Sequence, residues 1–197
     1  MAEKLSRIRQ PHIAPFNALA DEIADFYGLP RGHVPYVDPD QGGTDARVLV
    51  LLDNPSTKAE AGTGSGLLSL DNDDWTAKNC RLAYKKFVVD WKDVVHWNVC
   101  PFPTSNIKNG KSLDSERQEG AQWTRRVSEL CENLEVVLLL GRAAEDGWRR
   151  AGVLRSDLTV TEDVPHCSRR GISTPESKAR FETAIRDMQA HLYREGA

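Results

Sequence analysis

No apolar run in this chain approaches the roughly 18 residues that a membrane span needs, which excludes a spanning helix from the expectation. The first residues, Met1-Ala2-Glu3-Lys4-Leu5, carry no apolar signal region. A soluble, cytoplasmic protein with no membrane partner is expected. Cysteine is sparse: Cys80, Cys100, Cys131 and Cys167 are scattered, with no CxxC pair and none of the spacing of a zinc site or disulfide framework. Reduced thiols, no metal and no cofactor follow. The P-loop ending, the GxGxxG fingerprint and the GxSxG elbow are all missing, so neither nucleotide-cradling nor serine-hydrolase chemistry has a sequence basis. Basic excess is missing too, since 26 Lys and Arg face 29 Asp and Glu for a formal net charge of −3. Any nucleic-acid face must therefore be local. There is no internal repeat, low-complexity tract or charge block.

What is present is an alternation of strand and helix patterns. Residues 1–45 hold a helix near Phe16 to Tyr27, with Leu19, Ile23 and Phe26 at helical spacing, followed by a Pro-, Gly- and Asp-rich arm from Leu29 to Gly43. This segment is expected to pack on an α/β core of residues 46–197 within a single domain over residues 1–197, the size being that of one domain and the protein a monomer. Arg47 to Leu52 is a continuous apolar run, as suits a strand buried on both faces of a parallel sheet. Gly62-Thr63-Gly64-Ser65-Gly66 reads as an open loop, and Asp71-Asn72-Asp73-Asp74 as the cap of a helix carrying Ala83, Phe87 and Trp91. Asp93 to Val99 is the second strand. A loop from Pro101 to Asp114 precedes a helix from Ser115 to Cys131, with Trp123, Val127, Leu130 and Leu134 as its buried stripe. Strands at Glu135–Leu140 and Leu158–Val164 flank a short helix, Arg142 to Arg150, and Ser173-Thr174-Pro175-Glu176 opens the last helix. Such βαβ alternation predicts a three-layer α/β/α sandwich around a central four-stranded parallel sheet.

Ligands of a parallel sheet bind outside the carboxyl ends of its strands. Three polar segments fall there: Asp53-Asn54-Pro55-Ser56, Trp97-Asn98-Val99-Cys100-Pro101 and Pro165-His166-Cys167-Ser168-Arg169-Arg170. Each alone has an ordinary structural use, as a turn, a strand cap or a solvated loop.

Together and in this order they resemble the uracil-DNA glycosylase superfamily. Leu52-Asp53-Asn54-Pro55-Ser56 is similar to its GxNPG or GQDPY segment, Asn98 to the asparagine that reads the base, and His166-Cys167-Ser168-Arg169-Arg170 to its HPSPR or HPSPL loop. Val137 to Arg142 fits the third strand and its exit, so the resemblance extends from about Val48 through Ser173. The departures are Leu52 or Asp53 and Ser56 in place of the first-motif glycines, and Cys167 in place of the HPS proline. The CxxC pair of the iron–sulfur branches is absent. So is the family's stacking aromatic, since Gly66-Leu67-Leu68-Ser69-Leu70 holds no ring; Trp75, Trp97 and Phe102 are the substitutes.

The resemblance implies a uracil-DNA glycosylase-like fold and a monofunctional hydrolase of base excision repair. Such an enzyme flips uracil or a related damaged base out of DNA and hydrolyses its N-glycosidic bond. His166 would donate to the departing base anion and Asn54 would hold the attacking water, with Asp53 as an alternative general base. Asn98 would pair with the O4 and N3–H edge of uracil, with Trp97 and Phe102 beside it. Ser56, Thr57, Lys58, Ser168, Arg169 and Arg170 are the expected DNA contacts, and Thr104, Ser105 and Lys108 are further backbone candidates. Arg170 takes the position of the family's wedge. The competing expectation is a catalytically inactive nucleic-acid or nucleotide-binding protein of the same fold, suggested by the altered glycines.

Overall fold

The run Val48-Leu49-Val50-Leu51-Leu52 forms a strand with every residue buried, because β-branched and leucine side chains on both faces meet a helical layer on each side. A computed structural model describes residues 1–105 and 111–194. Its helices and strands are, in chain order, α1 (Ala2–Ser6), α2 (Ala14–Phe26), β1 (Tyr36–Val37), β2 (Val48–Leu52), β3 (Leu67–Leu68) and α3 (Trp75–Phe87). They continue with β4 (Val94–Asn98), α4 (Asp114–Leu130), β5 (Val136–Leu140), α5 (Arg142–Ala151), β6 (Thr159–Val164) and α6 (Pro175–Leu192). The central sheet is all parallel in the order β4-β2-β5-β6, and β1 pairs with β3 as a separate parallel ribbon. The protein is thus an α/β fold with a four-stranded parallel sheet between two helical layers.

Alternation along the strands sorts the core into two halves. Leu49, Leu51, Val95, Trp97, Val137 and Leu139 face Phe16, Ile23, Trp123, Val127 and Trp148 of α2, α4 and α5. Val48, Val50, Leu52, Val94, Leu138 and Leu140 face Tyr84, Phe181, Ile185 and Met188 of α3 and α6. Burying one such leucine stabilises the fold by about 1.5–3 kcal/mol.

The chain leaves β2 for β4 on one side and crosses to β5 on the other, so the sheet has its switch point at the carboxyl end of β2. Helix ends are set by local chemistry. Asp74 accepts from the Ala77 N–H at 2.9 Å to cap α3, and Val88, at φ 57°, ends it. Trp91, expected on that helix, therefore opens a separate 3₁₀ turn after a left-handed residue has broken the spacing. Glu116 accepts from the backbone N–H groups of Leu113 and Ser105, both at 2.6 Å, which fixes the start of α4. Thr174 caps α6 through the Ser177 N–H at 3.2 Å, with Pro175 in the first turn.

Residues 29–43, expected as an arm, carry β1 and a buried polar anchor. Lys4 reaches Asp38 at 2.7 Å, Asp71 at 2.8 Å and Asp40 at 2.9 Å. The Gln41 side-chain oxygen accepts from the His96 N–H at 2.8 Å, which ties the arm to β4. No helix among the described residues is long and apolar enough to cross a membrane.

Candidate functional site

A cleft of about 1060 Å³ opens at the carboxyl ends of β2, β5 and β6. Its lining includes Asp53, Asn54, Ser56 and Thr57 after β2, Gly141 and Arg142 after β5, and Pro165, His166, Ser168 and Arg170 after β6. Two of the three strand-end segments singled out in the sequence therefore share one cavity.

The first segment is held from both sides. Asp53 is buried, and its backbone carbonyl accepts from the Cys100 N–H at 2.9 Å, which continues the β2–β4 pairing past the strand ends. Its carboxylate accepts from the Ser112 hydroxyl and from the Ser112 N–H at 3.3 Å. Arg117 in turn donates to the Ser112 carbonyl at 2.6 Å and hydroxyl at 3.0 Å, and to Asp146 at 2.7 Å. The carboxylate is thus fixed through a chain of charge-assisted bonds. Asn54, half-buried, donates from its amide to the Pro55 carbonyl at 3.3 Å.

The His166 loop leaves β6 through an irregularity. Asp163 sits at φ 61°, its N–H donates to Glu145 at 2.8 Å, and the β5–β6 register shifts between Leu138 and Leu140. Such a bulge re-aims the residues beyond it. His166 Nδ1 accepts from the Ser168 N–H at 3.1 Å. A backbone N–H cannot accept, so in the neutral ring the proton is on Nε2, which is then a donor. Burial pushes the imidazole below its ordinary pKa of 6.5, against the opposing pull of Asp53 and Asp74, which favours the neutral ring.

Two glycines make room for this histidine. A Cβ on Gly141, where φ is +92°, would stand 3.0 Å from the His166 Cβ, and one on Gly171 would stand 1.9 Å from the His166 carbonyl oxygen. The loop is also anchored from behind. Cys167 is fully buried with its sulfur 3.4 Å from that of Cys80, and its carbonyl accepts from the Asn79 amide at 2.7 Å. Cys167 thus ties the loop to α3.

The third segment behaves differently. Trp97 is fully buried on the opposite face of the sheet, its ring centroid 6.2 Å from that of Phe16. Phe102 is buried against Tyr27, with centroids 4.6 Å apart. Neither lines the cleft, and the expectation that they flank a bound base is corrected accordingly: strand parity sends Trp97 to the core, and Phe102 completes an aromatic cluster with α2. Asn98 is buried beside Leu52 in the β2–β4 register, on the Val94 and His96 face. It does not line the cleft, and its amide makes no hydrogen bond with any described residue. Trp75 is half exposed at the start of α3.

The expected DNA contacts divide as well. Ser56, Thr57, Ser168 and Arg170 line the cleft, along with Thr104, while Lys58, Arg169 and Ser105 lie outside its lining. Lys108 lies outside the described residues. Sequence reasoning missed Lys111, Ser112, Arg117, Arg142 and Arg180 as lining residues. Of these, only Arg142 carried a local signal, its place directly after a buried strand. Arg117 and Arg180 are paired with Asp146 and Asp163. Lys111, Arg142 and Arg170 form no ion pair among the described residues, and they share the lining with the carboxylates of Asp53, Glu60, Glu145 and Asp163. The chain matches none of the protein-family models and none of the curated proteins compared with it.

Proposed function

We propose that the protein is a monofunctional DNA glycosylase that hydrolyses the N-glycosidic bond of uracil, or a related damaged base, in DNA. The observation that carries this reading is that His166, its Nδ1 engaged by the Ser168 N–H, lines the same cleft as Asn54 and the anchored Asp53. A base must leave the stack to enter such a cleft, at a cost of a few kcal/mol. As the bond breaks, its electron pair passes to the base and positive charge develops on the sugar. His166 Nε2–H meets the developing anion at a base carbonyl. A preorganised donor of this kind typically lowers a barrier by about 3–4 kcal/mol. Neutrality suits the role, since the ring stabilises the anion by a hydrogen bond without being a strong acid.

Asn54 has no proton to take and acts by position, holding water against the sugar carbon. That water supplies hydroxide to the sugar and a proton to the base, leaving free base and an abasic site. Asp53, at the cleft floor, stabilises the positive sugar electrostatically. Asn98, buried at the end of β4, reads the base edge in this mechanism if the base reaches the strand end. The rim cations hold phosphates.

The second reading, a catalytically inactive nucleic-acid-binding protein, is favoured by the Asn54 amide turning back to the Pro55 carbonyl. Chromatographic detection of free uracil released from a uracil-containing oligonucleotide separates the two. Release is expected from the uracil strand and not from a cytosine control; binding without release at enzyme excess supports the inactive protein.

A further inference from the structure

Trp75 is the first residue of α3 and stands 50 % exposed, an unusual place for an indole. Two cations lie over its ring: the Arg169 guanidinium carbon is 5.5 Å from the centroid and the Lys78 ammonium 4.9 Å. Neither cation forms an ion pair among the described residues. Asp74, the neighbouring carboxylate, is committed elsewhere, accepting from the Ala77 N–H and from the Ser56 hydroxyl. The ledge is continuous with the cleft, because Thr76 and Ser56 line the cavity and Arg170, next to Arg169, does too.

From this juxtaposition we infer that Trp75, Lys78 and Arg169 form a binding ledge for single-stranded DNA flanking the nucleotide in the cleft. The inference rests on the DNA reading of the cleft and adds the form of substrate. The half-exposed indole offers a stacking face to a base that takes the place of a cation over the ring, and the two cations offer partners for the adjoining phosphates. A duplex hides its base faces in its own stack and could use only the cations. An acidic peptide would likewise leave the indole idle. A single strand uses all three groups.

The test is equilibrium binding, which requires no turnover. The probes are a uracil-free oligothymidylate, the same strand paired with oligoadenylate, and heparin as a polyanion without bases. Wild type, Trp75→Ala, Trp75→Phe and Arg169→Gln are compared after their thermal midpoints are checked. Trp75→Ala is expected to weaken single-strand binding by about 5- to 150-fold, the worth of one stacked base, with duplex and heparin binding changed less than about twofold. Trp75→Phe retains most of the affinity, and Arg169→Gln weakens all three probes while flattening the salt dependence. Equal losses on all probes for Trp75→Ala, or no loss on the single strand, overturn the ledge. Stacking without any uracil release upholds the ledge and fails the glycosylase; release with a silent Trp75→Ala does the reverse.

Discussion

Replacing Gly171 by alanine adds one methyl group to the loop that carries His166, and the structure gives the consequence a size. The new Cβ would lie 1.9 Å from the His166 carbonyl oxygen and 2.8 Å from its carbonyl carbon, where contacts under 3.0 Å essentially never occur. The φ of Gly171 is outside the left-handed region, so the obstacle is contact rather than backbone strain. Both obstructing atoms are main chain, so no side chain can swing away. The two segments must separate by about 1.1 Å. A displacement of about 1 Å at a reacting group costs roughly 100-fold in rate. Overpacking of this kind destabilises by about 1–3 kcal/mol, or about 2–12 °C in thermal midpoint for a chain of this size. The assay is single-turnover uracil release well below the variant's midpoint, with near-ultraviolet circular dichroism to confirm native packing. Gly171→Ala keeping more than half of wild-type turnover would refute the claim that this close approach positions His166.

Two further perturbations test other parts of the account. Because burial lowers the His166 pKa, the stability that its neutral form contributes is present above the ordinary value of 6.5 and is lost as pH falls through the depressed value. Histidine NMR should therefore show a titration midpoint below 6.5 that disappears in His166→Gln, and uracil release should not fall as pH is lowered from 8 to 6.5; a midpoint above 6.5 contradicts the neutral donor. Lys4→Met leaves Asp38, whose side chain is 0 % exposed, without its cation, and should destabilise by about 3–5 kcal/mol in urea unfolding. A loss under 1 kcal/mol would mean that Ser69 and the Asp40 N–H alone satisfy Asp38.

Much of the fold was legible because its signals are local. Each central strand lies within a run flagged by β-branched and leucine residues, and Asp74, Thr174 and Pro175 marked helix starts where the sequence placed them. The ribbon of β1 and β3 was not legible, since two-residue strands carry no period and depend on Tyr36 meeting Leu67 across the fold. At the site, proximity to a strand end identified Asp53, Asn54 and His166 as cleft residues. Parity on β4 was the signal left unused. Trp97 and Asn98 are neighbours on one strand and cannot both face a ligand, and the larger, apolar residue went to the core. Ser112 and Arg180 reach the cleft only through tertiary packing, and nothing in their sequence neighbourhoods announces them.

The central claim is that His166 and Asn54 act on a glycosidic bond in this cleft. Its most direct measurement is single-turnover cleavage of an oligonucleotide bearing one uracil, read after alkaline scission of abasic sites, for wild type, Asn54→Ala, Asp53→Ala and His166→Ala. The account predicts uracil-dependent cleavage by wild type and a loss of about 100- to 1000-fold for His166→Ala. It predicts a comparable loss for Asn54→Ala, with binding of the uncleaved strand retained. No cleavage by wild type at enzyme excess, or full activity in His166→Ala, contradicts it; full activity in Asn54→Ala with loss in Asp53→Ala transfers the water-activating role to the carboxylate.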